Sequence, residues 1–134
     1  MHYGFTYLAS PYSHSDPAVQ EQRFRAACAA AAKLMSLGYV IFSPIAHTHP
    51  IALAGNLPRG WDFWESQDQP LLEAATRLWV LTIDGWEQSK GIAAEIQFMR
   101  AKVIKPIAYL NPEATAIQYE YHGSSERGDW MDLV

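Results

Sequence analysis

Four short apolar runs alternate with helix-like stretches along the 134 residues, and this alternation restricts the possible folds more than any other feature. The runs are Phe5 to Ala9 (FTYLA), Tyr39 to Phe42 (YVIF), Leu78 to Ile83 (LWVLTI) and Ile107 to Leu110 (IAYL). Few polar residues interrupt them, which is the pattern of strands buried on both faces. Strand and helix in strict succession then predict an α/β fold: a mainly parallel sheet of four to five strands, covered on both sides and joined by right-handed crossovers. A chain of 15.1 kDa with 49% hydrophobic residues has core enough for one domain, taken as residues 1 to 134.

The helices announce themselves by their ends. Asp16 is placed to cap a helix whose first turn holds Pro17, and Gly38 stops it after the alanine-rich stretch Ala18 to Leu37. Val19, Phe24, Ala27, Ala31, Leu34 and Met35 give that helix an apolar face. Ile45 to Arg59, rich in Pro, Gly, Asn and His, reads as a long loop. Trp61 to Ala75 is helical with a break near Asp68, because Pro70 removes an interior hydrogen bond. Ser89 to Lys102 forms the helix after the third strand, and the tail from Asn111 to Val134 supplies an extra strand, a lid or a subunit contact.

Charge narrows the function. Ten basic residues against fourteen acidic ones give a net charge of −4, which argues against a nucleic acid polymer as partner. No apolar run is long enough for a membrane span, and the single Cys28 makes no internal disulfide, so the expectation is a soluble cytoplasmic protein. No phosphate-cradling glycine-lysine loop, dinucleotide glycine fingerprint or nucleophile elbow is present.

In a parallel sheet, ligands collect beyond the carboxyl ends of the strands, where strand order reverses. Ser10 to His14, Ser43 to His49, Asp84 to Ser89 and the loop after Leu110 should therefore share one crevice. Ser89 caps the third helix in this reading, Gly91 leaves its backbone open to a ligand, and Glu95 leans back across the gap one turn later. The plainer alternative for Glu95 is a solvated glutamate paired with a lysine or arginine. Asp68 is the second carboxylate, with helix capping as its plainer role. His47 and His49 form an H-x-H pair without a third ligand at metal-site spacing, which points to loop hydrogen bonding and not to zinc. Trp86, at a strand end, is the tryptophan best placed to stack on a base, and Asp84 lies beside it.

Together YLASPYSH, a long helix leading to G-Y-x-x-F-S-P, Asp68 and LWVLTIDGWEQSKGIAAE resemble the nucleoside 2-deoxyribosyltransferase-like superfamily, and within it the domain-of-unknown-function 1937 branch. The likeness spans about residues 3 to 110. It implies a three-layer flavodoxin/Rossmann-like fold, with Glu95 as the nucleophile at the anomeric carbon and Asp68 assisting at the base or sugar. Ser10 and Tyr12 would hold sugar or base. Ser89 stands where the transferases carry aspartate, as in the superfamily's nucleoside-monophosphate N-glycosidases, whose serine helps to bind the 5′-phosphate. The expectation is N-glycosidic bond cleavage or transfer on a nucleoside or nucleoside 5′-monophosphate, without metal or cofactor, in a homodimer or higher homo-oligomer. Glu95 must be ionised for this, and the helix N-terminus is expected to keep it so. A non-catalytic nucleotide- or nucleotide-sugar-binding module is the alternative.

Overall fold

The computed structural model describes residues 4–133 and shows an α/β protein with a six-stranded mixed sheet and, among these residues, four α-helices. In chain order the elements are β1 (Thr6–Ala9), α1 (Pro17–Ser36), β2 (Ile41–Phe42), α2 (Pro44–Gly55), α3 (Trp61–Ala74) and β3 (Arg77–Leu81). They continue with α4 (Lys90–Phe98), β4 (Ile107–Leu110), β5 (Ala116–Tyr119) and β6 (Met131–Asp132). The strand order is β2-β1-β3-β4-β5-β6; the first four run parallel, and β5 and β6 are antiparallel to their neighbours.

Residue alternation along the strands divides the core in two. Leu8, Trp79, Leu81, Ala108 and Leu110 pack with Ala30, Ala31 and Leu34 of α1. On the opposite face Tyr7, Ala9, Leu78, Val80 and Tyr109 pack with Leu72 of α3 and Ile92 of α4. β1, β3 and β4 are buried along nearly their whole lengths, which is why they read as continuous apolar runs.

The first helix forms as its ends dictate. Asp16 accepts a 2.9 Å hydrogen bond from the Ala18 N–H, Pro17 occupies the first turn, and Gly38 beyond the end takes a φ of +97°. Met35, expected on the apolar face, is 51% exposed.

Three expectations need correction. The segment from Ile45 to Arg59 is not a long loop, because α2 fills most of it. Ser43 accepts from the Ala46 N–H, Pro44 sits in the first turn, and Asn56 closes the helix in the left-handed region at φ 50°. The Ser-Pro pair that ends β2 is thus also a helix start, and Pro50 is carried inside the helix. Nor does α3 break near Asp68: the helix runs through Pro70, so Asp68 is an interior residue and not a cap. The sheet has six strands, not four to five, because the tail adds the antiparallel pair β5 and β6. The extra strand expected of the tail is therefore a pair.

Pro70 is exposed and leaves the Ser66 carbonyl without its usual i+4 amide. Pro70→Ala is expected to raise stability by about 1 to 3 kcal/mol, read as a higher urea midpoint. An unchanged or lower midpoint would show that the proline ring's packing outweighs the restored bond.

Candidate active site

The connection from β1 runs through α1 to β2 on one side, whereas β3 lies on the other side of β1, so strand order reverses between β1 and β3. A cavity of about 300 Å³ opens there. Ser10, Tyr12 and Ser13 line it from the loop after β1, and Pro44, Ile45 and Thr48 from α2. Arg59, Gly60, Trp61, Asp62, Trp64 and Asp68 come from α3 and the residues before it; Gln88, Ser89, Lys90, Gly91, Ile92 and Glu95 come from α4 and its approach.

Glu95 is 5% exposed and accepts a hydrogen bond from the phenol of Tyr7, a fully buried residue of β1. Asp68, 6% exposed, lines the same cavity. Burial pushes the Glu95 carboxyl up to about 8; the Tyr7 hydrogen bond works against this shift, and the charge of Asp68 adds to it. Burial likewise pushes Asp68 up to about 6. Tyr7 is raised too, first by burial and then by the charges of Glu95 and Asp68. Near neutral pH the proton that the two acids hold rests mainly on Glu95.

That corrects the expectation of a glutamate kept ionised by the helix N-terminus. Glu95 is the sixth residue of α4, past the first turn where the free N–H groups lie, so desolvation outweighs the dipole.

Ser89 caps α4 as expected, its Oγ accepting from the Ile92 N–H at 3.2 Å. Gly91 faces Trp61: a β-carbon at position 91 would come within 3.3 Å of the indole. The missing side chain therefore makes room for an aromatic wall as well as for close approach. Two buried hydroxyls on the cavity wall, Ser10 Oγ and Thr48 Oγ1, have no hydrogen-bond partner among the described residues. Buried polar groups normally find one, and a ligand in the cavity would supply it.

Of the residues singled out in the sequence, Glu95, Asp68, Ser10, Tyr12, Ser89 and Gly91 converge on the cavity, and His47, Asp84 and Trp86 do not line it. His47 is exposed on α2, where successive residues turn by about 100°, so its H-x-H partner His49 points inward while it points away. Asp84 is exposed. Trp86 packs on Tyr109 at 5.6 Å between ring centroids, with the Arg127 guanidinium over both rings.

Sequence reasoning missed Tyr7 and Arg59, and set Trp61 aside as packing. Tyr7 carried a usable signal, a phenol in an otherwise non-ionisable buried strand whose hydroxyl needs a partner. Thr48 and His49 lie in the segment expected at the crevice, but reading α2 as a loop hid which of its side chains turn inward. Among the described residues no group of three or more His, Cys, Asp or Glu is placed to hold a metal ion, and no helix is long and apolar enough to cross a membrane.

The model of a domain of unknown function (DUF1937) matches residues 4–110, and the chain belongs to that family. No curated protein matches the sequence. The matched span includes every residue lining the cavity and ends at the last residue of β4.

The raised carboxyl of Glu95 has a thermodynamic consequence. The folded state holds its proton where the unfolded chain, with an ordinary value near 4.5, has lost it. The stability contributed by the neutral acid is complete below that value and is lost as pH rises through about 8. Asp68 acts with the same sign between its ordinary 3.8 and about 6. Glu95→Gln should therefore melt at a temperature that holds between about pH 6 and 9 while the parent's falls. Parallel curves would show that Glu95 titrates as an exposed carboxylate.

Proposed function

We propose that the protein cleaves or transfers the N-glycosidic bond of a nucleoside or nucleoside 5′-monophosphate, with Glu95 as nucleophile. The observation that carries this reading is a buried carboxyl, anchored by a tyrosine from the sheet, sharing a ligand-sized cavity with a second buried carboxyl. The resemblance of the surrounding motifs to the nucleoside 2-deoxyribosyltransferase-like superfamily supports it, and a three-layer flavodoxin/Rossmann-like description of the fold goes with it. Cytoplasmic location and assembly into a homodimer or higher oligomer belong to the same proposal.

Breaking a C1′ to N bond builds positive charge on the sugar, and an adjacent carboxylate stabilises that charge or traps it as a glycosyl ester. The proton on Glu95 must first move. A developing cation beside Glu95 favours its anion, and Asp68, the more acidic partner, then holds the proton that the departing base needs. Trp61 and Trp64 offer flat apolar surface to a base. Ser10 and Thr48 offer unspent hydroxyls to a sugar. The α4 N-terminus at Ser89 and the guanidinium of Arg59 suit a 5′-phosphate. No step calls for a metal or an organic cofactor.

Because the pair retains a single proton between about pH 6 and 8, kcat/KM should trace a bell with limbs near those values. Purified protein mixed with a panel of nucleosides and nucleoside 5′-monophosphates should release free base, separated by chromatography. Glu95→Ala should lose about a thousandfold or more. Absence of base from every substrate, or release by Glu95→Ala at the parent rate, refutes the proposal.

One observation favours a second reading, a non-catalytic nucleotide- or nucleotide-sugar-binding module: a neutral Glu95 is a good hydrogen-bond donor to a resting ligand. That reading expects ligand-induced stabilisation without turnover, undiminished in Glu95→Gln.

A further inference from the structure

His49 is 3% exposed on α2 and takes no part in the chemistry above. It packs on Phe24 of α1, with ring centroids 4.4 Å apart. Its Nδ1 lies 2.6 Å from Tyr12 Oη, and its Nε2 lies 2.7 Å from a Glu21 carboxylate oxygen. Tyr12 lines the cavity, whereas the Glu21 side chain on α1 is 42% exposed. Two hydrogen bonds thus connect the cavity wall to the surface through one buried imidazole.

The proton directions follow from the groups. Hydrogen bonds from His49 and Arg25 draw the Glu21 carboxyl below its ordinary range, so it accepts only. Nε2 must then carry a hydrogen, and in the neutral ring Nδ1 is bare and accepts the Tyr12 hydroxyl proton. Tyr12 is left presenting an oxygen lone pair to the cavity. The charged neighbours of this chain are Arg25, 3.2 Å from Glu21, and Arg59; burial raises the Tyr12 phenol above its ordinary range and the Arg59 charge offsets this only in part, so Tyr12 keeps its proton until His49 takes it. The arrangement has the logic of a hydroxyl, imidazole and carboxylate triad, here on a cavity whose nucleophile is elsewhere.

We propose that Tyr12, backed by His49 and Glu21, is the general base that activates the water that frees the sugar from Glu95. The proposal rests on Glu95 being the nucleophile. In this step the water oxygen bonds to C1′ as the C1′ to Glu95 oxygen bond breaks, and that electron pair returns to the carboxylate. The proton lost by water passes to Tyr12 Oη while the Tyr12 proton passes to His49 Nδ1. The resulting imidazolium keeps its Nε2 hydrogen on Glu21. The proton gained by His49 balances the one that Asp68 gave to the leaving base, and the two sites re-equilibrate through solvent once the products leave. Tyr12 is the catalytic residue of this step, and His49 and Glu21 position it.

The test follows base release from 2′-deoxynucleosides and their 5′-monophosphates by rapid quench. In His49→Gln, which does not line the cavity, release in the first turnover should keep its parental rate while steady-state turnover falls about a hundredfold, and in Tyr12→Phe steady-state turnover should fall at least as far. A burst matching the enzyme concentration and a sugar adduct on the Glu95 peptide, seen by mass spectrometry, should then appear. Glu21→Gln, a change at the surface, should act in the same direction with a smaller effect. If first-turnover and steady-state rates fall together in His49→Gln, or neither changes, the relay is overturned and the role of Glu95 stands. If the parent releases no base, the reading of Glu95 fails and the relay's role fails with it. Imidazole nitrogen NMR of the free protein tests the relay separately. Nε2 should be protonated and Nδ1 not, with the Nδ1 signal moved in Tyr12→Phe; a neutral ring protonated at Nδ1 overturns the relay whatever the turnover.

Discussion

The hydrogen bond from Tyr7 to Glu95 is the constraint around which the cavity is arranged. A carboxyl group this deeply buried is costly unless polar neighbours hold it, and the phenol does so from the interior of the sheet. β1 is fixed by parallel pairing to β2 on one side and β3 on the other, so Tyr7 is held by backbone ladders and not by a loop. The acid itself stands on α4, which follows β3. The position of Glu95 relative to the cavity thus depends on two neighbouring strands and one capped helix, which is the rigid support a reacting group needs.

The remaining walls show a similar economy. Continuity of α3 through Pro70 lets one helix present Trp61, Trp64 and Asp68 to the same space, at intervals of three and four residues. Had the helix broken before the proline, Asp68 would have turned toward its own backbone as a cap. Gly91 and Trp61 fit each other in the same way: the bare backbone on α4 is where the indole lies.

Much of this was legible in the sequence, for identifiable reasons. β1, β3 and β4 are buried on both faces, and burial leaves a strong apolar signature. Asp16 with Pro17, and Ser89 ahead of Gly91, marked helix starts by local chemistry that survives in the fold. Glu95 was found because spacing along an element fixes direction, whereas Asp68 was picked out by a helix break that does not occur and by the resemblance of the motifs around it. What could not be read came from distant pairing. Ser43 and Pro44 end a strand and begin a helix with the same two residues, and a composition of Pro, Gly, Asn and His concealed α2. His47 and His49 look equivalent in a loop and are opposite on a helix. Tyr7 looked like core until a partner 88 residues away gave its hydroxyl a purpose.

The tail carries a consequence for the sheet as a whole. Glu120, beyond the span shared with the family, accepts from the Tyr109 phenol at 2.5 Å and from Arg100 at 2.6 Å, while Arg127 covers the Tyr109 ring at 3.7 Å from its centroid. The family pattern stops at a strand whose outer edge would otherwise lie open to pairing with a stranger. In this chain β5 occupies that edge, and an ionic latch of Glu120 with Arg100 fastens it to the turn that follows α4. A relative that lacks these last two strands must protect the flank of β4 by other means, with a different extension or with a neighbouring copy of itself.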